Sequence, residues 1–360
     1  MARKRVFQIA RTVHAYAGVA LSALLIVVGL SGAFLVFKED YLRATVPQAR
    51  IQVDMSLASV GEAANAAERY FGEEDLRVLV FATPDFGLHK AYLTGGRAAY
   101  IDTNGDVIDV WEENGRFEEW LFDLHHRLLM GTAGLWILGF SGLVAVAFIS
   151  AGFFAFWPAR KGIRRGLKVA STSRAELLSF HRNLGLYASP IIMLSIVTGV
   201  VMAFPQTSRQ FFDRFGGPEA PPAESATHGQ VSWEAALHTA IKTFPDATPR
   251  MAIWPSPGRA ARLRLKQPAE WHPNGRTIVN IDPGSGTILY TEDARSLGAG
   301  REAYNAIYPI HAAHIGGRVY DAIVFSAGIA VSILGGLGAF TFTRRLLVEA
   351  GQRKAKSGAQ

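Results

Sequence analysis

The chain has 360 residues, of which 49% are hydrophobic and only 19% charged, a balance that excludes an ordinary soluble protein and points to a membrane protein. Cysteine is absent, which excludes disulfides, thiolate catalysis, cysteine-ligated iron–sulfur clusters and covalently attached c-type haem. The net charge of +7 follows from an uneven spread of charge along the chain, so no nucleic-acid partner is expected.

Four windows are nearly free of charge: Val13 to Phe37, Leu128 to Trp157, Leu184 to Phe204, and Val319 to Phe342 with Asp321 at its start. Crossing a hydrocarbon core of about 30 Å takes roughly 20 helical residues, so the spacing predicts four transmembrane helices and contact with membrane lipid. The first window is too long for the apolar core of a signal peptide and reads as a signal anchor.

In chain order, residues 1–37 are a cytoplasmic arm and the first helix. Residues 38–124 are a first outer region: "SLASVGEAANAAERYF" has helical periodicity, and "DLRVLVFAT", "HKAYLT" and "AAYIDTNGDVIDVWEE" read as strands, "TNGD" being a hairpin signal. The second helix occupies 125–157, a basic cytoplasmic loop 158–180 and the third helix 181–204. A second outer region fills 205–310, where "GGPEAPPAESATHGQ" (216–230) reads as linker, "SWEAALHTAIKTFP" as helix, and "RMAIWP", "ARLRLKQ" and "TIVNIDPGSGTILYTED" as strands. The fourth helix covers 311–343, and 344–360 is a cytoplasmic tail.

The orientation rests on charge. The N-terminal arm, the 158–180 loop and the tail after Thr343 carry 15 basic and 2 acidic residues, whereas 38–124 and 205–318 carry 20 basic and 27 acidic. Positive residues accumulate on the cytoplasmic side, so both termini are expected there, with two small α+β regions in the periplasm of a bacterial inner membrane.

The chain reads as a duplicated helix–region–helix unit. "HAYAGVALSALLIVVGLSGAFLVF" (14–37) aligns without gaps with "HRNLGLYASPIIMLSIVTGVVMAF" (181–204), placing His14 on His181, Gly18 on Gly185 and Gly32 on Gly199. More loosely, "FDLHHRLLMGTAG" (122–134) resembles "YPIHAAHIGGRVY" (308–320), and "SAGFFAF" resembles "LGGLGAF". Histidines repeated at one register can face each other across a bundle, which is what b-type haem requires: axial nitrogens, an apolar slot and no covalent link. One haem would use His14 and His181. A second, at the outer side, would use one histidine of His125 and His126 with one of His311 and His314. Gly18, Gly32, Gly185, Gly199, Gly131 and Gly134 would admit a flat macrocycle or close helix packing. Arg127, Arg182 and Arg318 flank the histidines and suit propionate carboxylates or the membrane interface. His89, His228, His238 and His272 read as ordinary polar residues of the soluble parts. Trp111, Trp120, Trp254 and Trp271 are candidates for lining a substrate or for core packing.

The helix beginning "H…G" and ending "SGAFLVF" or "TGVVMAF", the segments "YIDTNGDVI" and "VNIDPGSGTIL", and "LHHRLLMG" or "IHAAHIGG" resemble the PepSY-associated transmembrane family over roughly residues 8–345. That family includes bacterial inner-membrane ferric-siderophore reductases. The resemblance implies two haem b groups between four helices and selects His14, His181, His125 and His311 as iron ligands, with His126 and His314 as alternates. It further implies an oxidoreductase that reduces a periplasmic ferric siderophore or other ferric chelate. No GxGxxG run is present, so the electrons are expected from a separate cytoplasmic reductase or a quinol. The alternatives are a haem-free regulatory or transport-accessory membrane protein of iron uptake, and a metal transporter that uses the histidines directly.

Overall fold

A computed structural model describes residues 2–51, 53, 55–156, 167–216, 231–256 and 258–357. Most of the expected linker, His228 and part of the basic loop lie outside these residues. The chain divides into two units: 1–36, 121–205 and 310–360 form the first, 37–120 and 206–309 the second.

The first unit is built on four long helices, α1 (Ala2–Val36), α5 (Gly131–Phe156), α6 (Arg174–Ala203) and α10 (Gly317–Ser357), each long and apolar enough to cross a membrane. Neighbours run α1–α5–α6–α10 and back to α1, which sets α1 diagonally opposite α6. Small residues bring α1 and α10 together: a Cβ on Gly29 would collide with Ser332 and Val331, and one on Gly328 with the Gly29 carbonyl. Helix α6 starts at a Ser173–Glu176 capping pair, where the Ser173 hydroxyl accepts from the Glu176 N–H at 3.3 Å.

Two expected helices begin differently from the sequence reading. Residues 125–157 are not continuous: α4 (Phe117–Arg127) ends, Leu128 and Leu129 take φ of 54° and 58°, and α5 restarts at Gly131. Likewise α9 (Ala299–His311) ends before Ala313 at φ 59°, and α10 starts at Gly317, the second of two adjacent positive-φ glycines, Gly316 and Gly317. A run of left-handed residues ends an α-helix because its hydrogen-bond ladder requires negative φ. His125 and His311 are thus carried on short helices that precede the membrane-spanning ones.

The second unit joins the two expected α+β regions in one sheet. Its strands, β1 (Leu76–Val80), β2 (His89–Leu93), β3 (Ala98–Ile101), β4 (Val107–Trp111), β5 (Thr248–Ile253), β6 (Ala261–Lys266), β7 (Thr277–Ile281) and β8 (Ile288–Glu292), make one antiparallel sheet in the order β4-β3-β2-β1-β5-β6-β7-β8. The expected "TNGD" hairpin turn forms, with Gly105 at φ 88°, and Gly286 at φ 68° turns the chain in "DPGSG" between β7 and β8. The halves join where β1 pairs with β5, Val78 opposite Ile253 and Val80 opposite Met251. Each half alone would leave that edge unpaired and its helix with an incomplete apolar face. Short helices α2 (Lys38–Thr45) and α7 (Pro205–Phe212) follow α1 and α6 in the chain. Helices α3 (Leu57–Phe71) and α8 (Trp233–Thr243) lie side by side, and with the sheet they enclose one core containing Val60, Ala64, Leu79, Trp233, Leu237, Leu263 and Val279. The buried Glu68 accepts from the indole N–H groups of Trp233 and Trp254, at 3.3 and 3.1 Å.

Candidate functional site

Each of four histidines in the helical unit is seated against a glycine of a facing helix. A Cβ added to Gly152 of α5 would lie 2.5 Å from the His14 ring, and one on Gly32 of α1 would lie 2.7 Å from His125 Cε1. The corresponding distances are 3.1 Å from Gly199 of α6 to His311 and 3.6 Å from Gly338 of α10 to His181. The first three seats are tighter than a side chain normally tolerates, so glycine there makes room for an imidazole.

The residue four before each glycine supplies the carbonyl beside the ring. His14 Nδ1 lies 2.9 Å from the Phe148 carbonyl, His125 Nδ1 3.1 Å from that of Val28, and His311 Nδ1 3.0 Å from that of Ser195. A carbonyl only accepts, so these Nδ1 atoms carry the proton and donate it, leaving each Nε2 with a free lone pair. Among the described residues, His181 Nδ1 is buried without a well-formed hydrogen bond, the Leu334 carbonyl being its backbone neighbour.

The rings are brought together in two pairs. His14 and His181, from the diagonally opposed α1 and α6, have centroids 6.2 Å apart, and His125 and His311 are 6.1 Å apart. A metal–imidazole bond is about 2 Å and the ring nitrogen lies about 1.1 Å from the ring centre, so two rings on opposite sides of one metal have centroids roughly 6 Å apart. Both pairs have that spacing. Along α1, the residues meeting the two pairs, His14 and Val28–Gly32, are separated by roughly 25 Å at 1.5 Å per residue, close to the thickness of a hydrocarbon core. Among the described residues, no three or more His, Asp or Glu side chains gather into a metal-ion cluster. Each pair therefore offers two nitrogens and no further protein ligand of those types.

A family model described as PepSY-associated TM region matches residues 11–345. The chain belongs to that family. None of the curated proteins matches it. This PepSY-associated transmembrane protein is accordingly a multi-pass membrane protein, its four apolar helices in contact with lipid.

The other residues singled out in the PepSY-associated sequence take different places. His314 lies exposed beyond the end of α9, while His311 faces His125. His126 packs on Phe122, ring centroids 5.4 Å apart. Arg318 is exposed and 3.8 Å from Asp321, Arg127 is exposed, and Arg182 donates to Ser179 at 3.0 Å and to Asn183 at 3.3 Å. Gly18 faces open space and Gly185 meets only Leu334, whereas Gly134 packs on the Arg127 carbonyl and Gly131 serves a positive-φ turn. Gly32 and Gly199 hold histidines directly. Trp111 and Trp254 are core residues, and Trp120 and Trp271 are exposed.

Sequence reading missed Gly152, Gly338 and the hydroxyls of Ser31 and Thr198. Aligning "SAGFFAF" with "LGGLGAF" sets Gly152 on Gly336, but the seats pair Gly152 with Gly338, two residues further on. A signal for the hydroxyls was present: "SG" at 31–32 and "TG" at 198–199 fall at one register of the aligned helices.

Proposed function

We propose that the chain is a bacterial inner-membrane dihaem b electron-transfer protein. It reduces a periplasmic ferric chelate, a ferric siderophore foremost, and releases Fe(II) for uptake. In this reading the duplicated helix–region–helix unit places both termini in the cytoplasm and both soluble segments in the periplasm, as the excess of Lys and Arg in the terminal and 158–180 segments favours.

The observation that carries the reading is the pair of facing imidazoles at each of two depths, with centroids 6.2 and 6.1 Å apart. Two imidazoles leave a bare zinc or iron ion short of ligands, while a porphyrin brings four nitrogens of its own. The residues present fit that group. His14 and His181 would hold one haem and His125 and His311 the other, through Nε2. The open space at Gly18 suits a planar macrocycle. When bound, the two groups supply one-electron transfer across the bilayer.

The chain's own part is to orient. The Phe148, Val28 and Ser195 carbonyls fix three of the tautomers, and the glycine seats fix the depth of the rings. Reduction of the substrate from Fe(III) to Fe(II) weakens its hold on hard oxygen ligands, so release needs no acid–base catalyst. The electrons come from a separate cytoplasmic reductase or a quinol.

Full-length protein purified in detergent should be red and give about two haem b per chain by pyridine haemochrome, as two histidine pairs imply. His14→Ala or His181→Ala should remove one haem and His125→Ala or His311→Ala the other, and dithionite-reduced protein should be reoxidised by ferric siderophores. A folded, colourless preparation refutes the proposal in favour of the haem-free regulatory reading.

A further inference from the structure

The two histidine pairs differ in what holds the nitrogen turned away from the partner ring. At His125 and His311, each Nδ1 meets two acceptors. His125 Nδ1 lies 3.1 Å from the Val28 carbonyl and 3.1 Å from Ser31 Oγ; His311 Nδ1 lies 3.0 Å from the Ser195 carbonyl and 3.0 Å from Thr198 Oγ1. Neither hydroxyl needs the ring as an acceptor. Ser31 donates to the Val27 carbonyl at 2.7 Å, and Thr198 donates to that of Leu194 at 2.7 Å. Both oxygens therefore turn lone pairs toward the imidazole N–H.

The other pair lacks this device. Among the described residues, His14 Nδ1 meets the Phe148 carbonyl and no hydroxyl, and His181 Nδ1 has no well-formed bond. The hydroxyls belong to the residue immediately before the seat glycine, and the equivalent positions before Gly152 and Gly338 are Ala151 and Leu337. The asymmetry is thus written twice, once on each side of each pair.

A ligand imidazole whose N–H is shared with stronger or more numerous acceptors becomes more basic and favours the more highly charged metal, here Fe(III) over Fe(II). We propose that Ser31 and Thr198 are positioning residues that lower the reduction potential of the His125–His311 centre relative to the His14–His181 centre. This rests on the dihaem reading above. A more reducing centre suits substrates in which tight hard-oxygen ligands stabilise Fe(III).

The test is a spectroelectrochemical titration of full-length protein, haem content being measured first. In Ser31→Ala/Thr198→Ala, the midpoint potential of one haem should rise while that of the other stays put. Ser31→Thr and Thr198→Ser, which keep the hydroxyl, should restore the wild-type value. Ala151→Ser, which adds a hydroxyl before Gly152, should lower the potential of the other haem. With both haems present, unchanged potentials or equal movement of the two in the double alanine variant overturns the proposal and leaves the dihaem reading standing. If the double variant loses its haem, Ala151→Ser decides, and an unmoved potential there overturns the proposal. Wild-type protein without haem overturns both.

Discussion

Alanine substitution of the four seat glycines should act in a graded order set by geometry. Carbon atoms in van der Waals contact sit about 3.5–4.0 Å apart. The added Cβ would lie 2.5 Å from the His14 ring in Gly152→Ala and 2.7 Å from His125 in Gly32→Ala, so the ring must retreat by about 1 Å. Bonds of 2.9 Å to the Phe148 carbonyl and 3.1 Å to that of Val28 would then open beyond hydrogen-bonding range. On the dihaem proposal, losing such a partner of a ligand histidine costs about 10- to 100-fold in affinity. Gly199→Ala, at 3.1 Å, asks for a few tenths of an ångström, and Gly338→Ala, at 3.6 Å, for nothing. All four substitutions favour the helix by about 1 kcal/mol, so lost haem cannot be put down to weaker helices. Haem content per chain after purification should follow the order Gly338→Ala, Gly199→Ala, Gly32→Ala, Gly152→Ala from full to most depleted. Equal loss in Gly338→Ala and Gly152→Ala, or full occupancy in both Gly152→Ala and Gly32→Ala, would refute the seating argument.

Two expectations concern the sheet unit. Glu68→Ala strands the indole N–H groups of Trp233 and Trp254 in the core, which should cost about 2–5 kcal/mol; denaturant unfolding followed by tryptophan fluorescence measures it, and a change under 1 kcal/mol would argue against the shared core. His89, 1% exposed, accepts from the Ala82 N–H through Nδ1, and burial pushes its pKa down to about 4, only partly offset by Asp102. The unfolded chain takes up the proton near the ordinary 6.5, before the folded one does. Stability should therefore fall by up to about 3 kcal/mol as pH drops from about 6.5 to about 4, then level off. His89→Gln should flatten that slope, and an unchanged pH profile in the variant would exclude His89 as its source.

The membrane-spanning windows, the "TNGD" turn and the shared register of His14 and His181 were legible because they depend on local composition, local φ requirements and register, whereas His125 and His311 were singled out from His126 and His314 only by the family resemblance. The choice of His311 over His314 was not decided by those signals. It follows from Ala313, whose positive φ ends α9 and leaves His314 exposed, and from the approach of His125. The break before α5 was illegible for a related reason: leucines in left-handed conformations, as at Leu128 and Leu129, carry no sequence signal of their own, whereas the Gly316–Gly317 pair at the start of α10 was a signal that went unread.

What the sequence determined by itself is that this is a four-helix membrane protein with histidines repeated at one register, since hydropathy and periodicity are properties of single segments. Tertiary structure decided the rest. It showed that the two soluble segments share one sheet through β1 and β5, that Gly152 and Gly338 answer to each other, and that Ser31 and Thr198 meet histidines whose own partners sit far along the chain. Strand edges and buried hydrogen bonds are satisfied by whichever group the fold brings within 3 Å or so, and that distance is written in no single stretch of sequence.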